Sequence, residues 1–278
     1  MGRGARIFLL SLLISTCVFG LISFVIISSV KDRAEPASTS GDGAGVRLPG
    51  ALKGESFNLL FVCTEDSGEL LSCVLLRVDR ERGELTFTPI CARTTINDTD
   101  LLSVYRENGI QSLCDGVFSL TGIRAGYYTV ITASSLSQFA DNVGNLRFTV
   151  SESMTVGGIS FENGTRMLTG NEASTLLRYD TDKRYREESA ADILRSVYER
   201  LSKTDGADVY TSLCAYSVTT FTKDDFAARR ELVSVYAQMK KSTVYLSGTH
   251  KGEGESRYFI ADTEANLDKF SNYRKYYN

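Results

Sequence analysis

The chain opens on residues 7–30, IFLLSLLISTCVFGLISFVIISSV, 24 consecutive positions without a charge. As a helix rising about 1.5 Å per residue this run is roughly 36 Å long, enough to cross a hydrocarbon core of about 30 Å with some tilt. Beyond residue 56 the pattern breaks into short segments. Residues 57–63 (FNLLFVC) are apolar and end in TEDSGE, which predicts a buried strand followed by a polar loop. Residues 70–79 and 84–91 read as strands joined by the polar, glycine-containing stretch 79–83, a hairpin. Helical spacing covers 99–107 and 111–120. Residues 127–133 (YYTVITA) are rich in strand formers. Ser134 and Ser135 then cap a helix to residue 143, and 146–150 is again a strand.

After Gly164 the chain is mostly helical. A short helix covers 172–177. Residues 187–201 place Ala190, Ala191, Ile193, Leu194, Val197, Tyr198 and Leu201 along one face of an amphipathic helix. Thr222 and Asp225 have the form of an N-terminal cap ahead of a helix over 226–239. Two strand-like pieces, 243–247 and 258–261, precede a last helix from about Thr263. Strands and helices mixed along the chain without a repeat predict an α/β fold, a mixed central sheet flanked by helices as α/β/α layers.

Charge gives the apolar run a direction. Arg3 and Arg6 precede it and the first acid is Asp32, which favours an amino end in the cytoplasm and the remainder outside. A cleaved signal peptide is the rival reading. Its apolar region would span about 7–15 residues and end in a small-residue cleavage site, whereas this run is longer and leads into Val30-Lys31-Asp32. Residues 31–56 are rich in Gly, Ala, Ser and Pro and read as a flexible stalk. The organisation expected is a short cytoplasmic tail (1–6), a transmembrane signal anchor (7–30), the stalk (31–56) and an extracytoplasmic domain (57–278). The protein would then be a single-pass protein of the cell membrane.

Composition excludes more than it assigns. Residues 1–30 hold two arginines and no acid, so the remainder carries −5 where the whole chain carries −3, the opposite of a nucleic-acid-binding face. The single histidine, His250, rules out a poly-histidine zinc site and leaves one residue on which any Ser-His-Asp or Cys-His mechanism would hang. Cys63, Cys73, Cys91, Cys114 and Cys214 show no Cys-x-x-Cys spacing, and the first three lie in apolar strand-like segments. They read as small core hydrophobes, with one bridge between neighbouring strands at 63 and 73 left open. The triplets at 97–99 and 163–165 match a glycosylation sequon, which matters only in a eukaryotic secretory route.

Two loops stand at strand ends, where α/β sheets place ligands. In Thr64-Glu65-Asp66-Ser67, adjacent carboxylates flanked by hydroxyls suit Mg²⁺, which takes oxygen ligands. The same loop also reads as a solvated acidic turn. In Cys91-Ala92-Arg93-Thr94-Thr95, an arginine followed by hydroxyls suits phosphate, because the planar guanidinium meets two oxygens at once. An ordinary surface arginine is the alternative. Arg178 opens the cluster RYDTDKRYR, with Arg184 and Arg186 close behind. That basic patch suits an anionic ligand, or forms a solvated face.

These segments, taken in order, resemble the LytR-CpsA-Psr family of the bacterial cell envelope. FNLLFVCTED, FTPICARTTI, GYYTVITASSLSQFADNVGNLRFTV and LTGNEASTLLRYD follow an anchor and stalk. They parallel the family's N-I-L-L-L-G-x-D, I-P-R-D-T, Y-x-x-V-D-F-x-x-F-x-x-L-V-D-x-L-G-G-V and L-x-G-x-x-A-L-x-Y-x-R-x-R. The likeness spans about residues 57–201. It implies a domain that binds polyprenyl (pyro)phosphate in a greasy channel. The activity implied is a Mg²⁺-dependent phosphotransferase moving a lipid-linked glycopolymer onto peptidoglycan. Arg93 matches the arginine of I-P-R-D-T, Arg178 the first arginine of R-x-R, and Glu65 the acid after the first strand. On this reading Arg93 and Arg178 are catalytic and bind substrate with Arg184 and Arg186, while Glu65 and Asp66 hold the metal.

The chain also departs from the pattern. Cys63-Thr64-Glu65 stands where the family has Gly-Thr-Asp, and the aspartate of the following S-D-T falls near Leu71-Ser72. Thr94 replaces the aspartate after the arginine of I-P-R-D-T, and Asp180 replaces the second arginine of R-x-R. A carboxylate in place of a guanidinium beside pyrophosphate removes contacts and adds repulsion. An inactive lipid- or glycan-binding or regulatory module is therefore the second expectation.

Overall fold

The protein was analysed as a computed structural model that describes residues 55–96, 99–144, 146–252 and 256–274. The expected tail, the anchor 7–30 and all of the stalk before residue 55 lie outside the described residues. Among the described residues no helix is long and apolar enough to cross a membrane.

Three strands near the amino end make the frame. β1 (Phe57–Thr64), β2 (Leu70–Asp79) and β3 (Glu84–Cys91) pair antiparallel in succession. Every residue of β1 and β2 is buried, so both faces of the sheet must be covered. Alternation along β1 sends Phe57, Leu59, Phe61 and Cys63 to one core and Leu60 and Val62 to the other. Each such side chain contributes about 1.5–3 kcal/mol by leaving water. The chain continues through β4 (Thr94–Ile96), β5 (Thr99–Asp100), helix α1 (Leu101–Thr121), β6 (Tyr127–Thr132) and α2 (Ala133–Val143). Next come β7 (Leu146–Val150), β8 (Met154–Val156), β9 (Ile159–Phe161), β10 (Gly164–Leu168), α3 (Gly170–Arg178), α4 (Arg186–Leu201) and α5 (Gly206–Tyr216). β11 (Val218–Thr219), α6 (Lys223–Ala228), α7 (Arg230–Ser234), β12 (Lys240–Thr243), β13 (Gly248–Lys251), β14 (Tyr258–Ala261), α8 (Thr263–Lys269) and α9 (Ser271–Arg274) complete it.

The central sheet has the order β11-β6-β1-β2-β3-β12. β6 is parallel to β1 and β12 is parallel to β3, so the sheet is mixed. One core packs β1 to β3 against α2, α3, α4 and α5; the other packs them against α1 and Phe270. This is the α/β/α arrangement the alternation predicts. A four-stranded sheet, β13-β14-β4-β5, and two antiparallel pairs, β7 with β10 and β8 with β9, lie beside it.

Several local expectations change. The cap of α2 is Thr132, whose side chain accepts from the Ser135 amide, rather than Ser134 or Ser135. The helix expected over 226–239 is α6 and α7 followed by a 3-10 turn at Tyr236–Gln238, because the backbone leaves helical values at Arg229 (φ −109°, ψ 9°). Arg229 occupies that break, with its guanidinium carbon 5.4 to 5.7 Å from the ring centres of Phe57, Tyr127 and Phe221. The strand expected at 243–247 pairs earlier, at β12, while Val244 and Leu246 join the second core. Cys63 and Cys73 belong to opposite cores, so no bridge joins them, and all five described cysteines are free.

Two helical segments, 99–107 and 111–120, become one element, α1, broken at Gly109 (φ 75°, ψ −164°). Only glycine adopts that backbone readily. A Cβ there would meet no atom within 4 Å, so the cost of a side chain is backbone strain and not a clash. Gly109→Ala should lower unfolding stability by about 1–3 kcal/mol in denaturant titration. An unchanged midpoint would show that the break relaxes into a continuous helix.

Candidate functional site

β1 and β3 both run antiparallel to β2, and β6 runs parallel to β1, so these three strands end at one edge of the sheet. The loop after β1 carries Glu65 and Asp66 to that edge. The turn after β3 carries Arg93, about 10 Å away across β2 at the usual strand spacing. Arg178 arrives from the opposite direction, as the last residue of α3. A capping box sets where that helix starts: Thr169 accepts from the Glu172 amide, and Glu172 accepts from the Thr169 amide.

Arg178 and the acidic loop meet. The arginine Nε lies 3.0 Å and 3.2 Å from the two Glu65 carboxylate oxygens, and its Nη2 lies 3.2 Å from Asp66 Oδ2. The other Asp66 oxygen accepts from the Ser134 hydroxyl at 2.6 Å and from the Ser134 amide at 3.2 Å, at the start of α2. The Ser134 and Thr132 hydroxyls hold the Asp66 carboxyl below the usual carboxylate range, with Arg178 adding to the effect. Helix dipole and hydroxyls favour the charged form together. Asp66 is therefore an ionised, half-exposed carboxylate beside an arginine and a serine.

Arg93 stands apart from this cluster and pairs with Asp100 at 3.7 Å. Asp100 also caps α1 through the Ser103 amide. Arg184 and Arg186 turn elsewhere too. Arg184 lies over the Phe148 ring, donates to Ser189 and pairs with Asp192. Arg186 pairs with Asp180 at 3.4 Å. Of the six residues expected at the site, Glu65, Asp66 and Arg178 are brought into contact, and Arg93 shares their edge of the sheet.

The sequence offered no sign of the partner that Asp180 finds. Arg257, buried ahead of β14, uses all its N–H donors. Nε and Nη2 each donate to Asp180 at 3.2 Å, and the fork grips Glu187 at 3.0 and 2.8 Å. Nη1 also donates to His250 Nδ1 at 2.8 Å, and the guanidinium stacks 3.9 Å from the Tyr185 ring centre. Two arginines, 186 and 257, thus balance two carboxylates, 180 and 187. The reversed charge at Asp180 is neutralised within the protein and does not face a ligand bare. Because arginine only donates, His250 Nδ1 is the acceptor and the ring is neutral. Burial and the Arg257 charge both hold the His250 pKa below its ordinary value.

Beside this network lies a cavity of about 520 Å³, lined by Pro89, Cys91, Tyr185, Leu246, His250 and Phe259 among others. Cys91 and Thr94, which flank the Arg93 turn, contribute to its wall. Burial pushes the Cys91 thiol up to about 11, so it remains a neutral wall residue near pH 7. Among the described residues no group of three or more His, Cys, Asp or Glu is gathered as a closed metal site requires.

Fold and site together define a three-layer α/β protein whose arginine and carboxylates meet at the edge where open α/β sheets take ligands. The chain belongs to the LytR_cpsA_psr family, whose model matches residues 72–274. Glu65 and Asp66 fall just ahead of that span. No curated protein sequence matches. Solved structures share the fold at low identity. TagV of B. subtilis is 19% identical with a TM-score of 0.69, covering 81% of this chain and 97% of its own. A transcriptional regulator of Enterococcus faecalis is 18% identical with a TM-score of 0.66, over 80% and 87%. TagT, solved bound to LIIa-WTA, is 13% identical with a TM-score of 0.64, over 86% and 98%.

Two measurements probe the buried network. Arg257→Leu leaves Asp180 and Glu187 uncompensated and should cost about 3–5 kcal/mol in denaturant titration. A loss below about 1 kcal/mol would mean that Arg186 alone suffices. His250 has a lowered folded-state pKa, so its contribution is complete above the unfolded value of about 6.5 and is lost as the pH falls below it. Melting temperature should therefore drop between about pH 7 and 5, and His250→Gln should make that slope shallower.

Proposed function

We propose that this chain is a membrane-anchored, extracytoplasmic member of its family that attaches a polyprenyl pyrophosphate-linked glycopolymer to peptidoglycan. The observation that carries this reading is the convergence of Arg178 with Glu65 and Asp66 at the carboxyl edge of the sheet. Arg178 is the position that the family motif assigns to phosphate, and it lies at the strand ends where open α/β sheets take ligands. Solved relatives support the substrate class, since TagT is known bound to LIIa-WTA. The uncharged run over 7–30 supports the anchor.

In the reaction, an acceptor sugar hydroxyl oxygen bonds to the polymer-side phosphorus as that phosphorus loses its bond to the lipid phosphate. The hydroxyl proton passes to solvent, and the lipid leaves as a monophosphate. Arg178 neutralises charge on the departing phosphate, and Arg93 on the same edge steadies the far end of the pyrophosphate. Glu65 and Asp66 with Arg178 sum to −1, so the cluster alone opposes an anion. Adjacent carboxylates fit Mg²⁺, which takes one or two carboxylates plus substrate phosphates and would reverse that sign. The cavity lined by Cys91, Leu246 and Phe259, whose wall includes the residues flanking the Arg93 turn, would take the first part of a prenyl chain.

A second reading, binding without turnover, is favoured by Asp180. Its carboxylate is held inside a balanced network where the family motif has a free arginine. The full chain, lipid-linked polymer, peptidoglycan acceptor and Mg²⁺ should release lipid monophosphate, and Arg178→Ala should lower that rate about 10²- to 10³-fold. Lipid binding without release selects the second reading. A folded chain that does neither overturns both.

A further inference from the structure

The helix α4 carries a second charged cavity, remote from the edge just described. Its volume is about 410 Å³, and Arg147, Arg195, Lys203 and Lys241 line it together with only two carboxylates, Asp192 and Glu199. β12 pairs with the first half of β3, which sets Lys241 towards the amino end of that strand. From Arg186 to Glu199 the helix rises about 20 Å, so this cavity lies at the other end of α4 from Arg186, while α3 and α4 cover the same face of the sheet.

Its cations are incompletely answered by the protein. Arg147 pairs with Glu199 at 3.7 Å, and Lys203 shares that carboxylate at 3.9 Å. Arg195 pairs with Asp192 at 3.4 Å and donates to Thr243 at 2.8 Å, while its Nε is buried without a hydrogen-bond partner. Lys241 has no carboxylate partner among the described residues. Its ammonium contacts the Ala237 carbonyl at 3.3 Å and sits 4.5 Å from the Tyr236 ring centre. Desolvation lowers the Lys241 pKa, Arg195 lowers it further, and Glu199 opposes the shift. Thr149 and Ser196 add hydroxyl donors to the wall.

We infer that this cavity binds a small phosphate ester, a sugar or polyol phosphate. The excess of two positive charges matches a phosphate monoester dianion, and arginine meets phosphate oxygens through two N–H groups at once. The volume exceeds that of a bare phosphate ion and falls in the range of small-molecule sites. Such a ligand would be recognised whether it is a free metabolite or the phosphomonoester end of a longer polymer. This site involves none of the residues proposed for transfer, so either proposal stands or falls without the other.

Calorimetric titration of the full chain with glucose 6-phosphate, glycerol 3-phosphate, inorganic phosphate and glucose tests it. The two esters should bind saturably, inorganic phosphate more weakly and glucose not at all. Arg195→Gln and Lys241→Gln should each weaken ester binding about tenfold or more, as loss of one charge-assisted contact implies. Both variants should retain wild-type release of lipid monophosphate. Lys241 is part-exposed, so its variant keeps the test valid if Arg195→Gln fails to fold. A glycerol phosphate oligomer binding more tightly than the monomer supports the polymer as source; equal affinity supports the free ester. Absence of binding at millimolar ester, inorganic phosphate binding as tightly as the esters, or unchanged binding in both variants overturns the inference.

Discussion

The constraint on which this structure rests is that β1 and β2 are apolar on both faces. A strand of that kind cannot lie on a surface, since each face would expose a row of large side chains to water. Covering one face requires α2 to α5, and covering the other requires α1 and the carboxy-terminal helices. With both faces occupied, the solvent-exposed charges of these strands gather where loops leave them, and the few polar groups inside, such as Arg77 and Asp79, pair with one another. The meeting of Glu65, Asp66 and Arg178 at one edge, which Arg93 shares, is thus a consequence of how the core is closed.

The charges on that domain fall into two physical kinds. In the network of Arg186, Arg257, Asp180 and Glu187, cations and anions match one for one, and at its centre Arg257 is buried with every donor used. Such a network holds β14 and the start of α4 together and has nothing to offer a ligand. Around Arg178 the groups are partly exposed and the sum is negative. Charge at a family position therefore does not define its role. Asp180 reverses the charge of the motif, yet Arg257 restores neutrality from a segment 77 residues away.

How much of this could be read in the sequence follows from the range of the forces involved. β2 and β3 were legible to the residue because period and turn are local properties. The meeting of Arg178 with Glu65 was legible as motif order, since both lie at element ends fixed by the core. α5 was missed: its buried apolar side chains are Val209, Tyr210 and Leu213, with Cys214 and Tyr216 only partly buried, too few to mark a helical face. Arg257 was missed because its carboxylate partners lie 70 and 77 residues away in sequence and no spacing links them. The expected use of Arg184 and Arg186 beside Arg178 assumed that neighbours in sequence share a site. Arg184, in the turn before α4, and Arg186, at its start, pair with Asp192 and Asp180 instead, because opposite charges within reach satisfy them first.

α4 shows how one element separates these tasks. Its first turn carries Glu187 and Glu188, where the positive end of the helix dipole favours acids, and Glu187 is drawn into the balanced network with Arg257. One face of the middle, Ile193, Leu194 and Val197, is committed to the core. Its later turns carry Arg200, which pairs with Asp205 at 2.7 Å, and Arg195, which meets Lys203, Arg147 and Lys241 from neighbouring segments. Cations near a helix carboxyl end are individually favourable, but Asp192 and Glu199 are too few to answer them all. The helix thus runs from a region of matched charge to one of positive excess. A buried guanidinium nitrogen without a partner costs free energy at that end unless an anion supplies the missing oxygen.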